Sequence, residues 1–250
     1  VSIANLKNMM VVPLLSKETN SLLGVNDKLQ LEETEQIYQS NNRKKFLRQG
    51  VTMLDSKSVF FKGDVEIGED VEIEANVIFE GNVKLGDKVQ IKSNTIIKNA
   101  VISSGTEVKP YTIIEDSLVG KNCNIGPFAR IRPNCTLEES VGIGNFVEVK
   151  ASNIKKNTKA NHLTYLGDSD IGENVNVGAG VITCNYDGVN KHKTVIKDNV
   201  FIGSDSQLIA PIIVEEGVTI AAGSTITDNS EKDSLLIARS RQQEKKNWKR

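Results

Sequence analysis

From Ile67 onward an apolar residue returns at every sixth position, through Ile73, Phe79, Leu85, Ile91 and Ile97. Two places ahead of each stands a second inward candidate: Val65, Val71, Val77, Val83, Val89 and Thr95. The double row resumes at Val119, Ile125, Ile131, Leu137, Ile143 and Val149, with Cys123, Ala129, Cys135, Val141 and Val147 ahead of them, and returns near the end at Ile202, Leu208, Val214, Ile220 and Ile226. Residues two apart on a strand face the same way, so each six-residue unit predicts a short strand carrying an inward pair. Between the pairs fall "IGED", "LGDK" and "IGEN", types that tolerate corner geometry. Such strands are marginal alone. Stacked as coils about 4.8 Å apart they pair above and below and bury a continuous aliphatic column. The pattern therefore predicts an all-β parallel solenoid over roughly residues 60 to 228.

The flanks read differently. "NDKLQLEETEQIYQSNNRKKFLRQG" predicts a helix, with Asn26 or Asp27 as its cap, Gln30 three or four residues on, acids early, bases late and Gly50 to end it. "ARSRQQEKKNWKR" is a basic tail, for which a solvated terminus is the simplest reading. The expected organisation is a segment 1–25, a helical linker 26–50, the solenoid domain 51–230 and the tail 231–250.

The period breaks twice around the middle. The apolar step from Val149 to Ile154 is five residues, as is that from Leu166 to Ile171, and the two bracket His162. A one-residue slip turns side chains over, so slips are expected where a site requires them. The second lapse, "CNYDGVNKHKT" from Cys184 to Thr194, predicts a projecting loop that carries His192, the other histidine of the chain.

Composition narrows the function classes. With 38% hydrophobic and 25% charged residues and a net charge of -1, the chain has no global preference for nucleic acid or membrane. An aromatic fraction of 5% suits a core of Val and Ile. Three cysteines without metal-ligand spacing predict reduced thiols and a cytoplasmic protein. The first residues lack the pattern of a signal peptide and no apolar run reaches membrane-span length.

The candidate chemistry gathers at the first break. His162 could be a polar residue of an irregular coil. Its neighbours suggest more: Glu148, one coil away, could orient the ring. Arg132 and Lys150, 18 residues apart, would stack as a cationic pair suited to a phosphate, and Tyr165 follows the histidine by three. A free imidazole titrates near pH 6.5, roughly where a general base for an attacking amine should. With a phosphate held nearby, that combination suits acyl transfer to an amino-sugar phosphate without a metal. A thioester donor would need a groove, with backbone N–H groups at an irregular corner facing the developing oxyanion.

The motifs "GPFARIRP", "GNFVEVK", "KANHLTYLGD", "VNVGAGVITCNYDGVNKHKT", "FIGSDSQLIAPI" and "TIAAGSTIT" resemble the acetyltransferase half of the bacterial bifunctional N-acetylglucosamine-1-phosphate uridyltransferase / glucosamine-1-phosphate acetyltransferases, from about Gly24 onward. The resemblance implies a left-handed parallel β-helix of hexapeptide repeats. It implies that His162 is the general base with Glu148 as its partner, that Arg132, Lys150, Tyr165 and Asn176 bind glucosamine 1-phosphate, and that acetyl-CoA lies along Ala179, Asn185, Tyr186, Ser204, Ala222 and Arg239. Asn161 stands where some relatives have Gly. It further implies a cytoplasmic homotrimer with sites shared between subunits, serving UDP-N-acetylglucosamine synthesis for peptidoglycan and lipopolysaccharide. "LGVNDKLQL" resembles the end of the family's uridyltransferase domain, where Asn26 matches a magnesium ligand. Residues 1–25 are accordingly expected to be the remnant of that domain, and the chain to be part of a longer bifunctional protein.

Three other readings compete. A hexapeptide carbonic anhydrase needs three zinc-binding histidines, and this chain has two. A hexapeptide acyltransferase with another acceptor would share the fold. A non-catalytic structural or ice-binding β-helix would present a flat ladder of repeated Thr, whereas the outward positions here are varied and charged.

Overall fold

Short strands with inward pairs find their partners one coil above and below. In the computed structural model, which describes residues 1–15 and 23–249, the strands form three parallel sheets of 11, 10 and 9 members. One coil shows the plan: Lys159–His162 lies on the first face, Tyr165–Gly167 on the second and Ser169–Ile171 on the third, each paired in parallel with the coils on either side. The fold is the expected parallel β-helix of hexapeptide repeats, preceded by a helix.

The chain divides into two units, Val1–Asn42 and Arg43–Arg250. The first contains a short helix, Ser2–Leu6. Residues 16–22, within the segment expected to be a domain remnant, and residue 250 of the tail lie outside the described residues. The linker helix runs Lys28–Arg48. Its start is a reciprocal cap: Asp27 Oδ1 accepts from the Gln30 N–H at 2.8 Å, and Gln30 Oε1 accepts from the Asn26 N–H at 2.7 Å. Gly50, at φ +92°, lets the chain turn away from its end.

The predicted inward residues fill the second unit. Ile73, Phe79, Ile91, Ile97, Ile125, Ile131, Leu137 and Ile143 are all fully buried. At the first end of the column Phe61 stacks on Phe79 at 5.5 Å between ring centroids, and Phe46 packs on Phe61 at a tilt, 4.9 Å away. The last coil lies beyond the expected boundary at 230. Leu235–Leu236 pairs with Thr219 and Ile220, so the first part of the presumed tail is a strand of the solenoid.

The five-residue steps have a different cause from the one expected. Two more occur, from Ile97 to Ile102 and from Ile114 to Val119, with no histidine near, and all four lie at the corner between the second and third faces. Each is turned by one residue in the left-handed region: Asn99, Asp116, Ala151 and Asp168, at φ 45°, 44°, 45° and 50°. The missing residue comes out of the corner and not out of the strand, so Ile102, Val119, Ile154 and Ile171 all remain buried. His162 is therefore not the reason for the slips.

Candidate active site

His162 ends its strand at the corner between the first and second faces, in register with Asn145. Glu148 is not its partner, which corrects the expectation. The histidine Nδ1 meets Asn145 Oδ1 at 3.1 Å, while the Glu148 carboxylate accepts from Arg132 Nη1 at 2.7 Å. An amide oxygen can only accept, so the imidazole must present Nδ1–H to it and leaves the Nε2 lone pair free. The exposed ring borders a cleft of about 480 Å³ on the first face, whose lining includes Lys109, Asn122, Lys159, Asn161, Gly142 and Gly144. Gly144 is a requirement of the corner, because a Cβ there would fall into the Asn161 carbonyl oxygen.

Below His162 the same corner is built of small residues. Ala160 pairs with Val177, Val177 with Ile202 and Ile202 with Ile220, which places His162, Ala179, Ser204 and Ala222 one above another. Backbone hydrogen bonds close the corners on each other: Gly180 N–H to the Leu163 carbonyl at 3.0 Å, Asp205 to Ala179 at 2.7 Å and Gly223 to Ser204 at 2.8 Å. Arg239 ends the column, its Cδ 3.8 Å from where a Cβ of Gly223 would stand. The column thus spans four coil spacings, about 19 Å.

A second group lies at the far end of the second face. Arg132 and Lys150 are adjacent across coils, as the pairing of Ile131 with Val149 dictates. Each leans on a carboxylate, Arg132 on Glu148 and Lys150 on Asp168 Oδ2 at 3.3 Å, and Asn185 Nδ2 also donates to Asp168 Oδ2. Hydrogen bonding to Glu148 raises the Arg132 guanidinium further above its usual range. Lys191, on the loop, lines a cavity of about 310 Å³ together with Asp168, the carboxylate that holds Lys150. Hydrogen bonding between the two amines raises Lys150 and lowers Lys191. The Arg132 guanidinium and the two amines face two carboxylates, and an anion placed among them would favour the protonated form of Lys191. Tyr165 lies beside the group, in register with Glu148, and its hydroxyl occupies the space that any side chain at Gly167 would need.

The structure thus aligns His162 with Ala179, Ser204, Ala222 and Arg239, and gathers Arg132, Lys150 and Tyr165 elsewhere on the same coils. Asn176 is exposed on the first face, in register with Lys159 and Phe201. Asn185 and Tyr186 sit at the loop, away from the small-residue column. Three residues escaped the sequence reading. Asn145 lies 17 positions before His162, and an assumed coil of 18 hides the pairing. Asp168 and Lys191 meet only because the loop folds back, and the run "NKHK" is the sole hint of that.

Among the described residues no group of three or more His, Cys, Asp or Glu could hold a metal; Asn26, expected to match a magnesium ligand of the uridyltransferase domain, donates its Nδ2 to Gln30 Oε1 at 3.2 Å. The three cysteines are free, with burial raising each thiol above its usual value. None of the described helices is long and apolar enough to cross a membrane.

Residues 193–228 match the bacterial transferase hexapeptide (six repeats) family. The chain carries hexapeptide repeats. Residues 61–151 match the GMPPB C-terminal domain family, so His162 falls between the two matched segments. Among solved structures, the UDP-N-acetylglucosamine acyltransferase of Francisella novicida aligns at 16% identity and TM-score 0.37, over 70% of this chain and 62% of that one. The Campylobacter jejuni enzyme of the same name aligns at 19% identity and TM-score 0.38, over 72% and 70%. A variant of AntD, an N-acyltransferase from Bacillus cereus solved with dTDP-4-amino-4,6-dideoxyglucose and coenzyme A, aligns at 19% identity and TM-score 0.28, over 59% and 85%. The chain therefore spans less than two thirds of the Francisella novicida protein.

Proposed function

We propose that this chain transfers an acetyl group from acetyl-CoA to the amine of glucosamine 1-phosphate, giving N-acetylglucosamine 1-phosphate. The observation that carries the reading is the position of His162 at the head of a column of small corner residues that ends in Arg239. An extended pantetheine arm needs a narrow track without protruding side chains, and about 19 Å of corner provides one. The thioester then lies at the histidine and the phosphate-bearing end near the arginine.

The sugar has its own anchor. Gly167, beside the cationic cluster, is five residues from His162 along the chain, at most about 16 Å of extended backbone. Long lysine and arginine arms on one side and the imidazole on the other shorten that span to the size of a sugar phosphate. Arg132, Lys150 and Lys191 hold the phosphate and Tyr165 flanks the ring. His162 Nε2 takes the proton from the attacking amine as nitrogen bonds to the thioester carbonyl carbon. The C–S bond then breaks, and the imidazolium returns that proton to the departing thiolate. Backbone N–H groups at the corner face the oxyanion between these steps.

Asn185 and Tyr186 stand apart from the column within one chain, so we place them in a neighbouring subunit's site in a homotrimer. The product would serve UDP-N-acetylglucosamine synthesis in a bacterial cytoplasm. Thiol release from acetyl-CoA tests the reading. Release with glucosamine 1-phosphate, and a much higher KM with unphosphorylated glucosamine, is expected. Release only with another amine would move the acceptor, and no release with any amine would refute acyl transfer.

A further inference from the structure

The coil that carries Asn185 is longer than its neighbours. Ile171 pairs with Ile196, a coil of 25 residues where the coils just before it take 17 or 18. The surplus forms a hairpin with no core of its own, and Tyr186 and Val189 are exposed on it. Its order comes from one carboxylate. Asp187 Oδ1 accepts from the Val189 N–H at 2.7 Å and the Asn190 N–H at 2.6 Å, and Oδ2 meets His192 Nε2 at 2.6 Å. The remaining ties follow from that turn: Asp187 N–H to the Asn190 carbonyl at 3.1 Å, Tyr186 hydroxyl to the Gly188 carbonyl at 2.6 Å, and an antiparallel bridge between Tyr186 and Lys191. The His192 N–H closes the base on the Asn185 carbonyl at 2.8 Å.

Lys191 is thus held on a rigid arm although its surroundings are open to water. A lysine on a loose loop would lose its mobility at each binding event, whereas this one is ordered in advance. We propose that Asp187 is a positioning residue that folds the hairpin into the one conformation delivering the Lys191 amine to Lys150, and so completes the anion site. This rests on reading the cluster as the phosphate subsite. The Asp187 carboxyl is held down to about 2, chiefly by the Asn190 donor and then by His192 and Val189, so it stays ionised at any working pH.

Calorimetric titration of the whole chain with inorganic phosphate, and separately with glucosamine 1-phosphate, tests the inference without requiring catalysis. Lys191→Ala and Asp187→Ala should each weaken both ligands, and the double variant should be no weaker than Lys191→Ala alone, since residues acting through one contact are not additive. Asp187→Asn keeps an acceptor for the two N–H groups and should recover most of the loss. In acetyl transfer at saturating acetyl-CoA, the Asp187→Ala defect should appear in KM for the acceptor more than in kcat. Amide exchange should accelerate within the hairpin, at Asp187, Val189, Asn190 and His192, and not in the coils, with an unchanged melting temperature showing that the solenoid is intact. Wild-type phosphate affinity in Asp187→Ala, losses that add in the double variant, or no phosphate binding by the wild-type chain would each overturn the proposal. Coupled losses of phosphate binding in a chain without acetyl transfer would leave it standing and refute the proposed reaction instead.

Discussion

Asn145 offers His162 an oxygen and nothing else, which decides the nitrogen that is free to take a proton. Asn145→Ala should therefore lower kcat, by less than loss of the histidine itself, because the ring survives but its tautomer is no longer fixed. Steady-state kinetics on the two variants checks the order. Gly167→Val should displace the Tyr165 ring and raise KM for the sugar phosphate with little change in KM for acetyl-CoA. These contacts were only partly legible in the sequence. Glu148 and His162 were visible as chemistry, but that Asn145 is the residue in register with His162 depended on whether the local coil takes 17 residues or 18.

Strands and corners follow simpler rules. The inward pairs from Val65 to Ile97 were readable because burial acts on every second residue of a strand, whatever the corners do. The cause of the short corners was not readable: the apolar rows show a five-residue step, but not that one left-handed residue such as Asp116 or Ala151 takes the missing position out of the turn. Core truncation should be costly. Ile125→Ala, at a fully buried position, should lose about 2–5 kcal/mol in denaturant unfolding, since rigid neighbouring coils cannot close the cavity. The hairpin should respond to acid. The Asp187 carboxyl is depressed from 3.8 to about 2 in the folded chain, so its contribution is complete above about pH 4 and is lost as pH falls through about 2. The chemical shifts of the Val189 and Asn190 amides, followed in an acid titration, should move with that midpoint and not with an ordinary carboxylate's.

Within the second unit, Arg43–Arg250, the corners of the solenoid carry the proposed chemistry. At the first-to-second corner Tyr111, Phe128 and Phe146 are stacked at 4.9 Å and 5.3 Å, one position beyond the row of Asn145, His162 and the small residues beneath it. The second-to-third corner holds the cations. With a net charge of -1 there is no global field to gather substrate, so local placement must supply recognition. Two expected cofactor residues lie off the column, and the proposed trimer would bring them back. Sedimentation equilibrium should accordingly give three times the 27.4 kDa chain mass, and a monomer with full activity would contradict shared sites. The central claim is that His162 is the base at the head of the column, and the most direct measurement is thiol release from acetyl-CoA with glucosamine 1-phosphate by His162→Ala beside the wild-type chain. A fall of about 10²- to 10⁴-fold in kcat, with assembly unchanged, is the predicted result; equal release by both chains would contradict it.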